Sequence, residues 1–307
     1  MRAVITGAGA GIGLATSLRL ARPGNQLVLV ARSTESLARV AADAEARGAR
    51  ALVCPADTSD GPGLDAALAD AVEWMGGVDT VVAAAAALAW GPFEQMGRAD
   101  FDRTVDVTFT GTVNTVRSLL PELRRSRGAV VIVGSVTAQV PVPDMVPYVA
   151  AKHALRGFAN SLALELERSG AGVDLTYVKP GHISTSLWEE STSATGEELR
   201  LPPLSYRVEE VVDEIERVLR RPRREITVGG ATRAQTLAFQ LARPVYEAIM
   251  VRITRFDSTG RPASRPGNLW RPLAEPRLRG RAARGRPSLL GLARRAGLAR
   301  PSRGRRR

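Results

Sequence analysis

Short apolar runs rich in Val, Ile and Leu recur near residues 2–6, 26–31, 50–54, 78–83, 128–134, 173–178 and 225–228. Between them apolar residues fall at helical spacing, as in GIGLATSLRL, where Ile12, Leu14, Ala15, Leu18 and Leu20 form one stripe. Strands that alternate with helices in this way predict an α/β fold, a doubly wound parallel sheet with right-handed crossovers. A ligand of such a sheet sits beyond the carboxyl ends of its strands. The pattern lapses between Ser184 and Tyr206, in LWEESTSATGEELRLPPLS, and returns as an amphipathic helix in LAFQLARPVYEAIMVRI, Leu237 to Ile253. Beyond it the chain turns to Arg, Pro and Gly. Three regions are expected: a domain over 1–230, a helical extension over 231–256, and a disordered basic tail over 257–307.

Polar residues gather at the predicted strand ends. The first strand runs into Gly7, Gly11 and Gly13, a cluster that lets backbone amides approach a pyrophosphate at the positive end of the following helix. Ser135 ends the run AVVIVGS, and thirteen residues later YVAAK places Tyr148 and Lys152 one helical turn apart on one face. Only Lys152 and Lys179 are lysines among 43 cationic side chains. A lysine in so arginine-rich a chain marks a position that needs a compact ammonium, able to bond sugar hydroxyls and to lower the pKa of a nearby phenol. Ser135, Tyr148 and Lys152 can converge on one carbonyl.

With these motifs in order and in register, the sequence resembles the short-chain dehydrogenase/reductase family over about residues 2–230. Its TGxxxGxG loop matches Thr6 to Gly13, its YxxxK matches Tyr148 to Lys152, and its catalytic serine matches Ser135. The resemblance implies a Rossmann fold and a nicotinamide cofactor. It further implies cofactor contacts from Ile12 in the glycine loop, Asp57 in PADTSD toward the adenine, Ala84, and Pro180, Ile183 and Thr185 of PGHIST toward the carboxamide. Two positions depart from the family pattern. The NNAG motif is replaced by the alanine run Ala83 to Ala86, and the catalytic asparagine by Thr108, whose shorter hydroxyl both donates and accepts and is expected to hold the relay water. The second predicted strand ends in Arg32 with no acid at its tip, which favours NADP(H) over NAD(H).

The implied reaction transfers hydride between nicotinamide and a hydrophobic alcohol or ketone, with Tyr148 as general acid or base, Ser135 holding the carbonyl oxygen and Lys152, together with the positive oxidised nicotinamide, lowering the tyrosine pKa. Leu187, Trp188 and Trp90 are candidates for the substrate pocket or for core. The competing reading, prompted by Thr108 and the alanines, is a noncatalytic dinucleotide-binding protein whose basic tail reaches anionic lipid or nucleic acid. Residues 271–307 carry thirteen arginines and one acid, a local charge of +12 that equals the net charge of the chain.

At 307 residues and 44% apolar, the chain can bury a sizeable core without crosslinks. Cys54 is the single cysteine and stands in a strand pattern, so a buried structural thiol in a reducing compartment is expected. His153 and His182 are too few for a zinc site, and no metal is expected. No signal peptide pattern precedes the first strand and no run of about 18 apolar residues occurs. The expectation is a cytoplasmic protein, for which the family resemblance implies a homodimer or homotetramer, with peripheral contact to an anionic membrane as a further use of the tail.

Overall fold

The computed structural model describes residues 1–202, 205–254, 258–263, 267–272 and 275–278. Its centre is a seven-stranded sheet built from β1 (Arg2–Thr6), β2 (Gln26–Ala31), β3 (Arg50–Pro55), β4 (Thr80–Ala83), β6 (Ala129–Val133), β7 (Asp174–Pro180) and β10 (Glu225–Val228). A two-residue strand, β5 (Ala89–Trp90), lies outside it. The order is β10-β7-β6-β4-β1-β2-β3, and every neighbouring pair is parallel. The chain winds one way from β1 to β3 and then back through β4, leaving a crevice between β1 and β4 at the strands' carboxyl ends.

Val4, Ile5, Val28 and Leu29 are fully buried. Successive residues of one strand face opposite sides, so both sides of the sheet are covered and the strands read as continuous apolar runs rather than alternating ones. On one side α1 (Gly11–Leu20), α2 (Thr34–Glu45) and α7 (Val208–Arg220) close a core with Ile5, Leu29, Leu37 and Ile215. On the other side α3 (Gly61–Met75), α5 (Gly111–Ser126) and α6 (Val146–Arg168) close a second core with Val4, Leu68, Leu119 and Leu155. Cys54 is buried in that second core, where desolvation raises its thiol pKa to about 11.

Helix α4 (Arg98–Val105) does not stop before α5. A π-helical turn, Asp106–Thr110, joins the two and puts Thr108 against the backbone of Ala87. Such turns insert one residue into a helix and recur at functional sites.

Two regions differ from the sequence pattern. The stretch 184–206 contains β8 (Thr192–Ser193), parallel to β5, and β9 (Glu197–Leu199), antiparallel to β11 (Ser258–Pro262). These strands are two or three residues long and owe their form to distant partners, so no local periodicity announces them. The helical extension is two helices, α8 (Gly230–Leu241) and α9 (Arg243–Ile253), because Pro244 has no N–H to continue a helix but suits the first turn of a new one. Tyr246 and Met250 pack α9 onto the domain, while Leu237, Leu241, Val245 and Ile249 stay exposed.

Within the region expected to be a disordered tail, residues 258–263, 267–272 and 275–278 lie against the domain, and Leu269 is fully buried. The rest of that region, including all of 279–307, lies outside the described residues.

Candidate active site and cofactor cleft

The ends of β1, β4 and β6 and the start of α6 border two adjoining clefts. One runs from Arg32 and Asp57 past the glycine turn to Lys152, and is lined by Gly7, Gly11, Ile12, Ala84 and Thr185. The other is largely apolar, lined by Ser135, Val142, Met145, Pro180, Ile183, Leu187, Trp188 and Met250. Tyr148 lines both. Trp90, the third aromatic candidate, is core instead, packed with Leu88, Val136 and Leu199.

Helix α6 carries Tyr148 and Lys152 one turn apart, with Pro147 in its first turn. Lys152 is 2% exposed and donates from Nζ to the carbonyl oxygen of Val133 at 2.8 Å, so the ammonium is fixed to the end of β6. Nζ also stands 5.5 Å from the centroid of the Tyr148 ring. Ser135 leaves β6 in an extended conformation, and its hydroxyl accepts the Thr137 amide at 3.1 Å. Burial pushes the Tyr148 phenol up to about 12, while its hydrogen bond with Ser135 acts in the opposite direction. Burial likewise takes Lys152 down to about 7. The sequence leads one to expect a tyrosine acidified by its lysine; in the chain alone desolvation dominates both groups and the phenol stays protonated. Beneath them Tyr177 donates to the Lys152 carbonyl at 3.4 Å, and any side chain at Gly134 would strike the Tyr177 ring.

The glycine turn fits a dinucleotide backbone. Gly7 has φ +69°, and a side chain there would stand 2.9 Å from Ala84 O and Ala85 N; one at Gly13 would collide with the Gly7 carbonyl. The first two glycines leave space along the cleft floor, and Gly13 lets α1 close on β1. The alanine run is tied down without asparagine side chains: the Thr6 hydroxyl accepts from Ala84 N at 3.2 Å and Ala85 N at 3.3 Å. Thr108 accepts from Ala87 N at 3.2 Å and donates to Ala87 O at 3.1 Å. Its hydroxyl hydrogen is thus committed to the backbone, and Thr108 lines neither cleft.

At the far end of the cleft Arg32 is joined by a second cation that sequence reading missed. Arg103 pairs with Asp57 and also bonds Ser59. Asp57 in turn accepts from Ser59 N at 3.0 Å and from its hydroxyl at 2.7 Å, so its carboxylate is held by its neighbours. Burial, and next the nearby Arg103, lower the Arg32 pKa. Arg103 lies 46 residues from Asp57 in a helix of ordinary composition, and nothing local marks it. The other lysine is structural: Lys179 pairs with Glu225 and donates to Gln139 Oε1 at 2.9 Å.

A side chain at Gly11 would meet Thr185 at van der Waals distance, so the PGHIST segment lies beside the glycine turn. His182 packs edge-on to Trp188, with ring centroids 5.8 Å apart, and burial lowers its pKa to about 4. Trp188 Nε1 donates to Ile183 O at 2.8 Å, which orients the indole along the second cleft.

This arrangement has counterparts. A family model for short chain dehydrogenases matches residues 1–196. The chain belongs to the short-chain dehydrogenase family, the oxidoreductases that act on CH–OH groups with NAD(P). Among curated relatives, the glycine betaine reductase ATRR of Emericella nidulans is 32% identical over 72% of this chain and 18% of its own length. The hydroxysteroid 11-beta-dehydrogenase 1-like protein of Xenopus tropicalis is 32% identical over 60% of this chain and 65% of its own. The putative oxidoreductase SadH of Mycobacterium tuberculosis is 36% identical over 64% and 71%. The chain therefore spans under a fifth of the first of these and about two thirds of the others. A solved alcohol dehydrogenase of Thermococcus sibiricus, complexed with 5-hydroxy-NADP, superposes with a TM-score of 0.65 at 25% identity, covering 74% of this chain and 95% of that one.

Proposed function

We propose that the chain is an NADP(H)-dependent oxidoreductase that interconverts a hydrophobic alcohol and its ketone, with Tyr148 as general acid and base. The observation that carries this reading is the position of Tyr148 in the wall common to a polar cleft and an apolar one, bonded to Ser135 and faced by Lys152. A reactant in the apolar cleft would present its carbonyl oxygen to the two hydroxyls.

When bound, the nicotinamide supplies or accepts the hydride. Gly7, Gly11, Ile12, Gly13 and Ala84 would hold the cofactor's middle, and Pro180, Ile183 and Thr185 its nicotinamide end. In reduction the protonated phenol of Tyr148 gives its hydrogen to the carbonyl oxygen as hydride reaches the carbon. Ser135 keeps that oxygen in line, and Lys152 stabilises the resulting phenolate. Thr108 serves by clamping Ala87 rather than by reaching the reacting atoms. Specificity for the 2′-phosphate is supported by Arg32 with Arg103 behind it, two cations at the end of the cleft where an NAD-specific site would carry an acid. A homodimer or homotetramer is the proposed assembly, in keeping with the family.

Purified protein should consume NADPH against at least one member of a panel of apolar ketones, faster than NADH, and Tyr148→Phe should remove turnover while calorimetry still detects cofactor binding. If both proteins bind NADPH alike and neither turns over any ketone, the chain is the noncatalytic binding protein instead.

A further inference from the structure

We propose that residues 267–272 and 275–277 of the chain itself compete with the dinucleotide for its cleft and must leave before the cofactor can bind. This rests on the dinucleotide reading of that cleft. Described residues of the segment meet the cleft at its adenosine end and at the glycine turn.

At the adenosine end, Arg32 donates from Nη1 to Leu269 O at 2.8 Å and from Nη2 to Asn268 O, and Arg103 Nε reaches Leu269 O at 3.4 Å. The guanidinium that would hold a 2′-phosphate is thus satisfied by two peptide carbonyls. The Leu269 side chain is fully buried with Ala87, Ala89 and Val107, and Ala87 and Val107 also line the cofactor cleft. Its neighbour Trp270 donates to Asp100 Oδ1 at 2.6 Å and lies under Arg103, whose guanidinium carbon is 5.6 Å from the ring centroid. Asn268, whose carbonyl Arg32 holds, and Pro272 also line the cleft themselves. At the glycine turn, Gly11 N, an amide that would face the pyrophosphate, donates to Arg277 O at 2.8 Å. The Ser186 hydroxyl donates to the same oxygen at 3.4 Å.

The Arg32 guanidinium and the Gly11 amide each end on a neutral peptide oxygen where the proposed ligand would offer an anionic phosphate oxygen. Charge-assisted bonds are the stronger, so the cofactor can win the exchange while its apparent affinity carries the cost of unseating the segment. The buried Leu269 side chain is the contact that no hydrogen bond of the ligand replaces.

The test uses the full chain. Leu269→Ser and Trp270→Ala should each tighten NADPH binding about tenfold by calorimetry, because they weaken the seated segment and leave Arg32, Gly11 and Tyr148 intact. In the unsubstituted chain, NADPH should speed hydrogen exchange of the amides of residues 267–272. Slower exchange there, or weaker binding by both variants, would make the segment a cover over bound cofactor and overturn the proposal. Unchanged exchange with unchanged affinity would overturn it as well, with the dinucleotide site intact. No binding of NADPH or NADH by any of the three proteins would instead overturn the dinucleotide reading, and the competition with it.

Discussion

The two ends of the cofactor cleft are built in opposite ways. At the catalytic end polar groups find partners nearby in sequence: Lys152 bonds Val133, 19 residues away, and Ser135 bonds Thr137. At the adenosine end Arg32 bonds carbonyls 236 and 237 residues away. Groups fixed by their own strand and helix keep their geometry when the ligand comes and goes. Groups fixed by a remote segment have a geometry conditional on that segment. The catalytic end is preorganised, whereas the adenosine end is already satisfied by the chain itself.

The sharpest test of the preorganised end is Tyr148→Phe. Loss of the proton donor should lower turnover by about a thousandfold with little change in cofactor affinity, measured by NADPH absorbance and calorimetry. A phenylalanine variant that kept a tenth of the activity would remove the catalytic end from the comparison. At the conditional end, Arg32→Ala should weaken NADPH by about ten- to a hundredfold and NADH far less. The ratio between the two cofactors matters here, because the substitution also frees Asn268 O and Leu269 O and so loosens the segment equally for both.

A smaller effect is expected between the ends. Thr6→Val keeps the shape but leaves the Ala84 and Ala85 amides without their acceptor, which should cost about 1–3 kcal/mol in urea unfolding. The last of the four concerns pH. The His182 pKa lies at about 4, below the ordinary 6.5 of histidine, so the unfolded chain binds the extra proton first as pH falls. Stability should therefore drop from pH 6.5 toward 4, by up to about 1.4 kcal/mol per pH unit. His182→Gln should flatten that limb in thermal melts at a series of pH values; an unchanged limb would assign the acid sensitivity elsewhere.

The same contrast explains what could be read without coordinates. The strands of the sheet were legible because they are buried on both faces, as Val4, Ile5, Val28 and Leu29 show. Ser135, Tyr148 and Lys152 were legible because one strand end and one helix turn bring them together, so their spacing is itself the geometry. Arg103, the second cation, was not, since its partner Asp57 comes from a different strand-to-helix turn. Nor were β8 and β9, whose hydrogen bonds come from β5 and β11. The desolvation that raises the Tyr148 phenol in the chain alone was not legible, because proximity to an ammonium shows in a motif and burial of both groups does not. Thr108 was recognised as a departure, but the π-helical turn that aims it at Ala87 has no signature in the residues of DVTFT.

That turn holds one residue more than regular winding would need. Its wider coil takes up the extra rotation, so α5 continues from α4 with Val116, Leu119 and Leu123 against the sheet and Asn114 Nδ2 on the Thr58 carbonyl at 3.0 Å, while Thr108 reaches Ala87. Removing one residue between 106 and 110 would restore regular winding and leave those buried faces in place. A single-codon deletion there should therefore cost the hold on Ala87 rather than the packing of α5.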